Sequence, residues 1–167
     1  MKKLSLLLAA AVVLCVATSA SAQVNVMGEP GYGAYTLNNG FTPDPTAYAV
    51  TAGGSEQASQ FSQADGTSCF AGNIANVPDV RVNYTAGTTF PLRFYVSTPE
   101  TDTTLAINAP DGSWHCNDDT VGLQPVIDFA TPLSGQYDVF VGTFAQGQFP
   151  QVQLYVTELP SAHGPTP

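Results

Sequence analysis

Asp102, Asp111 and the run Asn117-Asp118-Asp119 crowd the middle of the sequence. Their carboxylate and amide oxygens are the ligands a hard cation prefers. Ca²⁺ takes about six to eight such oxygens, backbone carbonyls included. Neighbouring carboxylates also repel unless a cation sits between them. Asp111-Gly112, after Pro110, has the composition of a tight turn. If the strands flanking that turn pair as a hairpin, Asp102 and Asn117–Asp119 arrive together at its far end. The expectation is therefore a structural calcium site on Asp102, Asn117, Asp118 and Asp119. Asp111 is read first as a turn residue and second as a ligand. The spacing is not that of an EF-hand loop, whose D-x-[DN]-x-[DN]-G run and closing Glu are absent. The bland alternative is a solvated acidic loop whose Asp and Asn side chains cap turns.

Other reactive residues are few. Beyond residue 22 the cysteines are Cys69 and Cys116 and the histidines are His115 and His163. Two cysteines in an exported chain argue for one disulfide, Cys69–Cys116. One ordered His and two oxidised Cys make no four-ligand zinc site. A nucleophilic hydrolase needs Ser, His and Asp in one place. The sequence has no G-x-S-x-G elbow, and Gly53-Gly54-Ser55 and Gly112-Ser113 read as turns. The expectation is a non-enzyme, with a secreted serine peptidase or other hydrolase as the rival. Trp114, Tyr95 and Tyr155, with Phe144 and Phe149, are candidates for an exposed aromatic surface that stacks on a polysaccharide or holds an envelope protein. The alternative is that these rings finish the edges of the core.

The elements that must carry these residues begin after an N-terminal leader. Lys2 and Lys3, the apolar Leu4–Val16 and Ala20-Ser21-Ala22 follow the grammar of a secretory signal peptide cleaved after Ala22. The apolar run is too short to span a bilayer. Leu14 before Cys15 argues against a lipoprotein site, where a small residue is usual. The expected location is periplasmic or extracellular. Residues 23–167 then keep two basic residues, Arg81 and Arg93, against 13 acids, a formal charge of −11. Such a chain cannot neutralise many phosphates, so nucleic acid is excluded as a partner and membrane insertion is not expected. The sign suits a cation.

Beyond the leader the apolar residues alternate at period two, interrupted by Gly and Pro. Val80, Val82 and Tyr84 form one set, and Leu92, Phe94 and Val96 another. Leu105 with Ile107, Tyr137 with Val139 and Val141, and Val152 with Leu154 and Val156 complete the pattern. Weaker stretches are Val24–Val26, Tyr32–Leu37, Thr46–Thr51 and Cys69–Ile74. Glu56–Thr67 reads as a loop or a short helical turn. One-side-in patterning in short strands predicts an all-β fold, a two-sheet antiparallel β-sandwich of jelly-roll type spanning 23–159. The tail 160–167 is expected to be disordered. Pro43-Asp44 precedes Thr51-Ala52-Gly53 at almost the spacing of Pro78-Asp79 before Thr85-Ala86-Gly87. One match this short does not make a repeat architecture.

The stretch from Asp102 to Val141 resembles the bacterial pre-peptidase C-terminal domain family. Thr104-Leu105-Ala106-Ile107 is similar to its first strand, Asp111-Gly112 to its turn and Asn117-Asp118-Asp119 to its acidic N-D-D element. Pro125–Phe129 is similar to the next strand, and Pro132–Val141 to the closing P-x-S-G-x-Y-x-I-x-V run. The resemblance covers about a quarter of the chain. It implies a small secreted β-sandwich, non-catalytic, of the kind appended to proteases and other hydrolases, with some members binding calcium or extracellular polymers. In this chain the D-x-D before the first family strand is reduced to Asp102 between threonines.

Overall fold

The alternating stretches become strands in a computed structural model that describes residues 23–70, 72–98 and 100–166. Residues 1–22, where a leader is expected, lie outside the described residues. The strands are β1 (Ala34–Asn38), β2 (Thr46–Thr51), β3 (Glu56–Gln57), β4 (Asn73–Ile74), β5 (Val80–Thr85) and β6 (Leu92–Val96). They continue with β7 (Thr103–Asn108), β8 (Trp114–Asn117), β9 (Val126–Phe129), β10 (Gly135–Thr143) and β11 (Gln151–Thr157). A single 3₁₀ turn, Ala58–Gln60, is the helical element among the described residues. No helix there is long and apolar enough to cross a membrane.

Two sheets pack face to face. One runs β1-β5-β10-β7-β8, with β4 and β3 continuing past the end of β5; the other runs β2-β11-β6-β9. From β5 to β11 the chain crosses between sheets at every connection except the β7–β8 hairpin, as in a jelly roll. The strand sets read from the sequence meet in one core, where Val80, Val82, Leu92, Phe94, Leu105, Ile107, Val139 and Leu154 are fully buried. Thr46–Thr51 forms over the residues expected. The Tyr32–Leu37 stretch shifts to β1, and only Asn73–Ile74 of Cys69–Ile74 pairs.

Three expectations need correction. The sheets are not wholly antiparallel, because β1 pairs β5 in parallel. Antiparallel pairing needs only a hairpin, whereas this pair is joined through the excursion that contains β2 to β4. Val24–Val26 forms no strand and packs as a cover, with Val24 buried beside Ala58, Ile74 and Phe140 on the outer face of the first sheet. The tail after Leu159 is ordered through residue 166. Ala162 and His163 N–H groups donate to the Leu159 carbonyl, and the Arg93 guanidinium donates to the Pro160 and His163 carbonyls.

β10 is the longest strand and the centre of its sheet. Tyr137 near its start is fully buried and donates its hydroxyl to the Leu133 carbonyl, 2.9 Å away, while Leu133 N–H donates back. This is the tyrosine-corner device of β-sandwiches. Gly135 has φ +141°, and a Cβ there would lie 2.7 Å from Pro110 Cβ. The closing run and the Asp111 turn therefore press together at a position only glycine fills.

Cys69 and Cys116 form a disulfide with Cα atoms 5.3 Å apart and a sequence separation of 47. It ties the 56–70 excursion to β8. Replacing both cysteines with serine should lower unfolding free energy by roughly 4 kcal/mol, the loop-closure entropy of a ring this size. Urea denaturation of the double variant against the parent measures it.

Candidate cation site

β7 and β8 form the hairpin whose register sets the site. Leu105 lies opposite Asn117 and Asn108 opposite Trp114. Asp102 just precedes β7 and Asp118 just follows β8, so both stand at the open end. Pro110 and Asp111 close the other end. One oxygen from each of Asp102, Asp118 and Asp119 lies within 4.8 Å of the others. Oδ1 of Asp102 and Oδ1 of Asp118 are shielded from solvent and have no hydrogen-bond partner. Desolvation, then the neighbouring charges of Asp119 and Asp102, push the Asp118 carboxyl up to about 6. Desolvation and Asp119 likewise raise Asp102.

Among the described residues no arginine or lysine relieves this crowding. From residue 23 onward the arginines and lysines are Arg81 and Arg93 alone. Arg81 Nε holds Asp138 at 2.7 Å, and its Nη2 donates to the Val26 and Gly28 carbonyls. Arg93 holds Asp128 through two hydrogen bonds of 2.6 and 2.7 Å and reaches the tail carbonyls. Both guanidinium groups are thus committed elsewhere.

Two of the expected ligands are employed otherwise. Asn117 Oδ1 accepts from Thr120 Oγ1 and from Val126 N–H, both at 2.8 Å. It links the end of β8 to the start of β9 and is not in the acidic group. Asp111 sits in the turn and accepts from Ser113 N–H and Oγ. The hairpin length separates it from the other acids.

A residue the sequence reading missed holds the two acid-bearing segments together. Gln124 is 1 % exposed. Its side-chain amide accepts from Thr98 N–H and donates to Thr98 O, as a paired strand would. Its backbone closes the 120–124 turn, and Leu123 O accepts from Thr103 N–H. The one available signal was a Gln directly before the apolar Pro125–Phe129 run.

Ser113, His115 and Asp111 do come together, as the hydrolase alternative required, but in the wrong order. Ser113 Oγ donates to Asp111 Oδ1 at 2.6 Å and lies 3.0 Å from His115 Nε2. The serine stands between the acid and the imidazole, whereas a triad places histidine between serine and acid. The arrangement finishes a turn, and burial lowers the His115 pKa.

The aromatic surface also differs from expectation. Tyr95 is 4 % exposed and stacks on Tyr155 at 4.9 Å. Trp114 is half-buried, stacked on Phe61 at 3.9 Å and tilted against Phe140. Phe144 and Phe149 are exposed as expected, and Phe70, Tyr32 and Tyr35 are exposed as well. Phe149 and Leu123 line a cleft of about 520 Å³ that Asp102 also borders.

No protein-family model matches the chain, and no curated protein matches it.

Two outcomes follow from this geometry. The unfolded carboxyl titrates near 3.8, while folded Asp118 titrates near 6 and buried Asp79 near 7. Between those values the folded state holds protons that the unfolded state has lost, so stability falls as pH rises. Cation-free protein should melt lower at pH 8 than at pH 5, and Asp118→Asn should flatten part of the slope. Asp65 and Asp111, with lowered carboxyls, act only as pH falls below the ordinary range. Trp114→Ala should cost about 2–3 kcal/mol in urea denaturation, because its ring packs on two others.

Proposed function

We propose that this chain is an exported, non-catalytic β-sandwich module. Asp102, Asp118 and Asp119 hold a divalent cation at one end, and the module binds an extracellular or envelope component such as a polysaccharide or a protein. The carrying observation is the convergence of three carboxylates, two of them with shielded oxygens that lack any partner. Oxygen donors of this kind favour Ca²⁺ over softer metals. The leader grammar and the disulfide support export. The resemblance of residues 102–141 to the pre-peptidase C-terminal domain family supports a binding role without catalysis. The cleft beside Asp102, with Phe149 and Leu123 on its walls, is the surface this reading assigns to the ligand.

Calcium should raise the melting temperature, because a ligand of the folded state at about 100 times its Kd adds about 2.7 kcal/mol. Asp118→Ala combined with Asp119→Ala should abolish the rise. A parent protein whose melting temperature ignores millimolar calcium at pH 7.5 has no such site.

A further inference from the structure

The two sides of the sandwich are finished differently. On the β8/β9 side, Asn117 bonds to Val126 and His115 packs edge-on against Phe129. The outer edge of β8 is covered: Gln63 bridges to Trp114, Gln63 Oε1 accepts from Cys116 N–H, and the disulfide locks the cover in place. On the opposite side the last strands are β1 and β2, joined by a Tyr35–Tyr48 ring contact of 4.3 Å.

β2 pairs with β11 alone among the described residues. Ala52 N–H donates to Pro150 O, on the β11 side. Backbone groups alternate sides along a strand, so Val50 and Tyr48 also face β11 while Ala47, Ala49 and Thr51 turn N–H and C=O outward. Native edges are usually protected by lysine, proline, a bulge or an inward charge. Thr46–Thr51 contains none of these and no charge. Ala47 and Ala49 are exposed.

We propose that the β2 edge is a self-association surface, where a second copy of this chain adds its own β2 antiparallel across a twofold axis at Ala49. The three residues with outward backbone groups are symmetric about that position. Ala49 meets its own equivalent, and Ala47 meets Thr51 in both directions, so each pair exchanges both hydrogen bonds. Inner faces stay together, with Tyr48 beside the Val50 of the other copy, and the four-stranded sheet continues through the axis. Ala49 lies on the axis itself, and its methyl group offers no bulk against the other copy. Tyr35, 39 % exposed and in ring contact with Tyr48, supplies apolar area beside the edge. Closed, isologous pairing of this kind consumes the edge and stops at two copies. Both copies are strongly acidic, so salt, by screening them, should tighten the pair.

Sedimentation velocity over a concentration series tests this. The parent should form a dimer that strengthens between low and physiological salt. Ala49→Lys and Ala49→Pro leave the β11 ladder intact and should weaken dimerisation at least tenfold, with an unchanged melting temperature at dilutions where the parent is monomeric. Amide exchange needs no variant: Ala47, Ala49 and Thr51 should be protected at high concentration and exchange fast on dilution. A parent that stays monomeric at both salt levels overturns the proposal, as does an Ala49→Lys variant that pairs as well as the parent or exchange at these amides that ignores concentration.

Discussion

Arg81 and Arg93 supply all the arginine and lysine charge of residues 23–167, and their placement governs much of the molecule. Each pairs with an aspartate directly across a strand, Asp138 on β10 and Asp128 on β9. Each then spends its remaining donors on carbonyls of a terminal segment. Arg81 holds Val26 and Gly28 against one sheet, and Arg93 holds Pro160 and His163 against the other. A guanidinium suits this double duty, because its planar fork serves a carboxylate and still presents further N–H groups. With both groups so engaged, the acids at the open end of the β7–β8 hairpin have only solvent or an added cation to balance them.

The hairpin and the closing run are coupled by contact as well as by chain order. Gly135 lets β10 begin flush against Pro110, and Tyr137 then locks its hydroxyl onto the preceding turn. Residues 102–141 therefore behave as one packed unit. Its motifs are the points where backbone approaches backbone. Gly135 and Tyr137 serve that packing, and Asp102, Asp118 and Asp119 stand apart from it at the open end of the hairpin.

How much of this was legible in the sequence depended on the range of the interaction. Alternation in Val80–Tyr84, Leu92–Val96 and Val152–Val156 is a local signal, and those strands formed as expected. The Asp111 turn is local too, and it placed Asp102 with Asp118 and Asp119 correctly. The parallel β1–β5 pair was hidden, because nothing in Ala34–Asn38 specifies a partner 47 residues away. Tyr95 lies on the outer face of its strand, so alternation marked it exposed, yet stacking on Tyr155 buries it. Gln124 and the ordered tail were hidden for the same reason, since their partners Thr98 and Arg93 lie far off in sequence. The short Pro-Asp echo proves to have a shared physical role. Asp44 accepts from Glu158 N–H and Asp79 from Val141 N–H, so each aspartate, just before its own strand, bonds the backbone at a neighbouring strand.

The arginine clamps have a mechanical consequence. Because they hold the segment before β1 on one outer face and the segment after β11 on the other, tension between the two ends would pass through the thickness of the sandwich. The clamps would take the load first. Beyond them, β11 has neighbours on both sides and would have to slide past β2 and β6 together, a shearing path that loads many backbone bonds at once. β1, parallel to β5, would likewise be dragged lengthwise rather than peeled. A domain strung between an anchor and a load would resist pulling in this direction better than its modest size suggests.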